Sequence, residues 1–159
     1  MSFRQAVEST AAIRDSFREG LGSVRNVDRT RLRCSNPRRL RGSVNLDDAL
    51  RLAFPNDPRW DYAIGISQRS HSDRAVWLEV HPASSLHVGE VLNKLRWLKG
   101  WLASDAPELQ GLPAHFCWVA TGSVSFRRGS PASYSTSTSS DGRILAHTVY
   151  VPHTRRPQR

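Results

Sequence analysis

Trp60-Asp61-Tyr62-Ala63-Ile64-Gly65-Ile66 and Ala75-Val76-Trp77-Leu78-Glu79-Val80-His81-Pro82 are short apolar runs that each carry one carboxylate. Polar residues fill the gap between them, so the runs read as neighbouring strands joined as a hairpin across Gln68 to Asp73. Side chains alternate on a strand, which puts Trp77, Glu79 and His81 on one face and Val76, Leu78 and Val80 on the other. Asp61 opens the first run and can approach Glu79 if the hairpin is in register. A charged carboxylate on an apolar strand is costly unless a metal or a partner stabilises it. Two carboxylates converging on one point repel each other, and a hard divalent cation relieves that repulsion. Magnesium or manganese suits such oxygen ligands. It would acidify a water for attack on phosphorus and neutralise charge on the departing group.

Working outward, Asn45 reads as the N-cap of a helix whose first turn holds Asp47 and Asp48, and Pro55 and Pro58 close it. Pro82 to Ser85 reads as a turn. A long helix follows over about 86–103, with Val88, Val91, Leu92, Leu95, Leu98 and Leu102 on one face. A second stripe, Glu90, Lys94, Trp97 and Trp101, lies on another face. Lys94 sits four residues after Glu90, the spacing of an ordinary helical ion pair. Lys99 falls on the apolar arc, where its stem would lie along the surface. Phe116-Cys117-Trp118-Val119-Ala120 is a continuous apolar run that suits a buried strand. Strand, helix, strand across 75–120 is a crossover unit, which implies parallel pairing and a right-handed connection.

The flanks differ from this centre. Residues 2–20 read as an amphipathic helix, and 23–43 as a basic arm holding Arg25, Arg29, Arg31, Arg33, Arg38, Arg39 and Arg41, with an edge strand near 29–33 as one alternative. Residues 129–142 read as a Ser/Thr-rich loop, Ile144 to Val151 as a last strand, and the C-terminal residues as a basic tail. The expected organisation is one domain: an N-terminal helix and arm (1–43), an α/β core (44–128), the loop (129–142), then the last strand and tail (143–159).

The chain has 159 residues, enough for a real core, and a formal net charge of +9. Residues 1–43 hold ten arginines against four acids, whereas 44–124 hold seven basic residues against nine acids. The basic flanks suit a polyanion such as nucleic acid, with Arg38, Arg39 and Arg41 as backbone contacts. All but two of the 23 basic residues are arginine, a skew that a GC-rich genome also produces. No apolar run reaches the roughly 18–20 residues that span a bilayer. Met1 to Gly20 lacks the apolar stretch of a signal peptide, so a cytoplasmic protein is expected. Cys34 and Cys117 are in no metal spacing and read as free thiols. His71, His87, His115, His147 and His153 show no zinc spacing. A phosphate-cradling glycine loop, a nucleophile elbow and a dinucleotide fingerprint are all absent.

Over residues 44–120 the chain resembles the PD-(D/E)XK nuclease superfamily, which has a restriction-endonuclease-like fold. The resemblance rests on the order helix, strand with Asp61, strand with Glu79, long helix, strand. It implies a mixed sheet flanked by helices, Asp61 and Glu79 as ligands of magnesium or manganese, and an additional acid from the preceding helix (Asp47 or Asp48) or from Glu90. The sequence departs from the family where His81 stands in place of its lysine. Histidine can act as a base or ligand near neutral pH but is not a fixed positive charge. Some members carry the lysine on the following helix, which makes Lys94 the candidate. Two function classes follow: a metal-dependent phosphodiesterase, or a binding module that keeps the fold without catalysis and uses Trp97 and Trp101 as a protein-binding surface.

Overall fold

The computed structural model describes the backbone of residues 1–69, 72–125, 133–135, 144–145 and 148–150, and the side chains of 1–69 and 72–122. In chain order the elements are α1 (Phe3–Ser9), α2 (Asn26–Arg29), β1 (Arg33–Cys34), a short 3-10 turn (Pro37–Arg39), β2 (Leu40–Asn45) and α3 (Leu46–Leu50). They continue with β3 (Tyr62–Ile66), β4 (Arg74–Ser84), α4 (Val88–Asp105), α5 (Pro107–Gln110), β5 (Ala114–Ser125), β6 (Ser133–Ser135), β7 (Ile144–Leu145) and β8 (Thr148–Tyr150). The molecule is a mixed α/β fold. Its main sheet has the order β2-β3-β4-β5-β8-β6, and β1 pairs with β7 separately.

The expected hairpin is present. β3 pairs antiparallel with β4 in the register Tyr62↔Leu78, Ala63↔Trp77 and Ile64↔Val76. The expected crossover is present too: β4 pairs parallel with β5 from Ala75↔Ala114 through Pro82↔Thr121. Helix α4 covers the span between them and buries Val88, Val91, Leu95, Leu98, Trp101 and Leu102. Each fully buried Val or Leu of that face stabilises the fold by about 1.5–3 kcal/mol.

The two faces of the sheet build separate cores. Trp77, Trp118 and Ala63 join α1 and α4 in one, with Phe3, Val7, Val91, Leu98 and Trp101. Ile64, Val76, Leu78, Cys117 and Val119 form the other, closed by Val24 and Leu32, with Leu21 and Leu40 packed against it. The basic segment 23–43 is thus packed onto the sheet through Val24 and Leu32. That segment caps a sheet face, and its end is β2, paired antiparallel with β3. Tyr62 ties it down by donating to Asp28 Oδ2 at 2.5 Å.

Two further boundaries move. The helix expected over 2–20 ends at Ser9, although its start is firm: Ser2 and Gln5 form a capping box. The Ser9 and Thr10 hydroxyls donate back to the Gln5 and Ala6 carbonyls, at 2.7 and 2.9 Å. Such bonds compete with helix propagation, and the following residues run in turns to the bridge Arg18↔Ser43. The turn expected at Pro82 to Ser85 is instead the continuation of β4. Beyond Leu78 the strand no longer pairs with β3, and the register with β5 shifts between Pro82 and Ser84. Edges and bulges are where a strand tolerates proline.

Of the Ser/Thr-rich stretch 129–142, only β6 lies within the described residues, and the basic tail lies outside them. Among the described residues, no helix is long and apolar enough to cross a membrane.

Candidate active site

Asp61 stands one residue before β3, and the register that sets Tyr62 against Leu78 brings it to the level of Glu79. Its Oδ2 accepts the Val80 backbone N–H at 2.8 Å, so the side chain continues the hairpin where the strand ladder stops. Its backbone carbonyl accepts the Leu46 N–H at 2.8 Å, which anchors the start of α3. Glu79 lies on the α4 side of β4 and is fully buried. Lys94, two turns into α4, reaches down between the two. Its ammonium donates to Glu79 Oε1 and lies 3.9 Å from Asp61 Oδ1. The second carboxyl oxygen of Glu79, Oε2, is buried and has no hydrogen-bond partner.

Electrostatics follow from this burial. Desolvation pushes the Glu79 carboxyl up to about 8, and the neighbouring Asp61 charge pushes the same way, while Lys94 opposes both. Asp61 is raised by burial, against the pull of Lys94 and of the Val80 N–H. The two acids compete for one lysine, and a buried oxygen is left over. That oxygen and the all-carboxylate donor set fit a hard divalent cation held by Asp61 and Glu79.

His81 sits on the same face, two residues along. Its Nδ1 lies 3.7 Å from Glu79 Oε1, and its Nε2 lies 3.1 Å from Glu90 Oε2. Glu90 is thus engaged with His81 instead of Lys94, and the simple helical pair of Glu90 with Lys94 is not formed. The reason is tertiary: Lys94 points toward the sheet, only 15% exposed, where buried Glu79 and half-buried Asp61 outweigh one exposed acid.

Asp48 is placed elsewhere. It accepts from Asn45, Arg25 and Arg51 at the exposed start of α3. Asp47 pairs with Arg59 at 3.0 Å. Arg39 Nε donates to the Ser67 carbonyl at 2.9 Å, and Arg41 lies 3.7 Å from Asp73, so both brace the sheet edge. Arg38 is exposed on the turn before β2. Trp97 and Trp101 do not form an open surface. Trp101 is buried, and Trp97 is half-buried, stacked on Trp101 and edge-on to Phe54. Of this pair only Trp97 keeps part of its ring at the surface. Lys99 does lie along the surface as expected, over the Phe116 ring.

The sequence reading also missed His87. Together with His81 and Glu90 it forms a group whose ligand atoms all lie within 4.8 Å of one another. The signal was present as a His-x-x-Glu spacing at 87–90, but the third member comes from β4 and only the fold brings it in. An open groove of about 660 Å³, lined by Arg18, Arg25, Arg29 and Asp48 among others, shares no residue with this site.

No protein-family model matches the chain, and no curated protein or solved structure matches it.

Proposed function

We propose that this chain is a nucleic-acid-binding phosphodiesterase of PD-(D/E)XK type that uses magnesium or manganese. The observation that carries the reading is the Lys94 ammonium between Asp61 and Glu79. It supplies, from the following helix, the fixed positive charge that the strand lacks at His81. The order α3, β3 with Asp61, β4 with Glu79, α4, β5 supports the same reading.

Asp61 and Glu79 would hold the cation, which when bound supplies an acidified water and neutralises developing negative charge. The Val80 N–H fixes the Asp61 carboxylate for that task. Lys94 donates to the carboxylate that faces the reacting group and orients a water or a phosphate oxygen by its remaining N–H bonds. His81, 18% exposed, lies beside Glu79 on the same face of β4. Basic side chains around the 3-10 turn, Arg38 foremost, would steer the phosphate backbone.

A second reading has its own observation. Lys94 directly occupies one oxygen of Glu79, and burial holds that carboxyl toward its neutral form. On this reading the lysine serves as a built-in cation and the protein is a binding module that does not cleave.

The test is cleavage of plasmid, single-stranded DNA and RNA with magnesium, manganese or EDTA. The proposal predicts metal-dependent cutting that disappears in Glu79→Ala. Cutting that survives Glu79→Ala would place the activity elsewhere. A folded wild type that cuts nothing, and whose melting temperature does not respond to either metal, would favour the binding module.

A further inference from the structure

We propose that His81, His87 and Glu90 form a binding site for a divalent transition metal, zinc being the best match, distinct from the Asp61/Glu79 pair. The three side chains come from the end of β4, the turn after it and the first turn of α4, and their ligand atoms lie within 4.8 Å of one another. Two imidazoles and one carboxylate are a donor set for zinc, cobalt or nickel, whereas magnesium prefers oxygen alone.

The surroundings are those of a supported site. Ser84 Oγ lies 2.8 Å from His87 Nδ1, which orients the ring and leaves Nε2 as the ligating nitrogen. His87 stands at the N-cap position of α4 yet makes no capping hydrogen bond, so helix capping does not explain its side chain. The His81 and His87 rings meet edge to face at 5.1 Å. Trp118 Nε1 donates to the His81 carbonyl at 3.0 Å and holds that backbone in place. With a metal on Nε2 of His81, its Nδ1 is left 3.7 Å from Glu79 Oε1. Metal–ligand bonds of about 2.1 Å put the donors of a tetrahedral site about 3.4 Å apart. His81 Nε2 and Glu90 Oε2, 3.1 Å apart, already meet that spacing. The positive end of α4 opposes a cation here, and the Glu90 charge in its first turn offsets that. Three protein ligands leave a fourth position open to water or a substrate group, as in catalytic zinc centres.

The site does not depend on the phosphodiesterase reading, and the experiment keeps the two apart. The full-length, metal-free chain is titrated with Co²⁺ and followed by its visible d–d absorption. Zn²⁺ affinity is measured by calorimetry, with excess Mg²⁺ present throughout to fill an all-oxygen site. Wild type should show the absorption of four-coordinate cobalt and bind one zinc. His87→Ala and Glu90→Gln should each lose the cobalt absorption and weaken zinc at least tenfold, while Asp61→Asn keeps both. Melting curves establish that each variant is folded. A cobalt spectrum and zinc affinity unchanged in His87→Ala would overturn the proposal. So would a folded wild type that binds neither ion.

Discussion

Glu79 carries opposing demands in one side chain. It is fully buried, one oxygen takes the Lys94 ammonium, and the other has no partner. Its folded pKa is raised from the usual value near 4.3 to about 8, by burial first and by Asp61 second. The sign follows from linkage: a raised acid contributes stability fully at pH below its unfolded pKa and loses it as pH climbs through the folded one. Metal-free protein should therefore lose stability between about pH 4.3 and 8, with Asp61 adding in the same direction. Glu79→Gln keeps an oxygen for Lys94 and removes the titration. We predict that the variant gains on wild type by about 2–4 kcal/mol at pH 8.5, at 1.36 kcal/mol per pKa unit, and little at pH 4. Urea unfolding of both proteins across that range measures it, and parallel profiles would refute it. Removing Lys94 has the opposite consequence. Lys94→Met strands the buried Glu79 beside the half-buried Asp61, which costs up to about 3–5 kcal/mol where both are ionised. Since they can protonate at low pH, the deficit at pH 8 should exceed that at pH 5. Paired unfolding curves at the two pH values check the difference.

The elements were legible where the sequence has a clean period. β3, β4 and β5 announce themselves as apolar runs, and α4 by spacing that the buried set Val88, Val91, Leu95, Leu98 and Leu102 reproduces. β2 was hidden because Arg41 and Gly42 interrupt its apolar pattern, and its burial depends on neighbours distant in sequence. Lys94 was half legible: a position on the helix gives its direction only once the sheet beneath is known. Close approach of elements was not legible at all. Gly65 lies under α1, where an added Cβ would sit 2.4 Å from the Phe3 ring. Gly65→Ala should cost about 1–3 kcal/mol by overpacking. In a Phe3→Leu background, which removes the ring, the same change should cost less. A double-mutant cycle by chemical denaturation gives the coupling, and strict additivity would contradict the contact.

At the scale of the whole molecule, charge and site are segregated. The centre, residues 44–124, is mildly acidic, and most of the basic residues lie in the flanks. Part of the N-terminal basic segment is structural, with Val24 and Leu32 closing a core and Arg39 bracing the sheet edge. Exposed Arg38 is left as a candidate for phosphate contact, and replacing it should weaken binding to any nucleic-acid sequence alike. Its loss should reduce the slope of log K against log salt by about one for duplex DNA. Fluorescence anisotropy at several salt concentrations reads the slope, and an unchanged slope would remove Arg38 from the interface. Trp101, on the same helix stripe, lies in the core and helps fix the helix that carries Lys94 to the carboxylates.

The most direct test of that arrangement is the rate of manganese-dependent DNA cleavage by Lys94→Ala relative to wild type, each confirmed folded at the assay pH. If Lys94 supplies the charge absent from the strand, the rate should fall at least about a hundredfold, in line with loss of an electrostatic group acting on the transition state. Wild-type cleavage that is undiminished in Lys94→Ala would contradict the account.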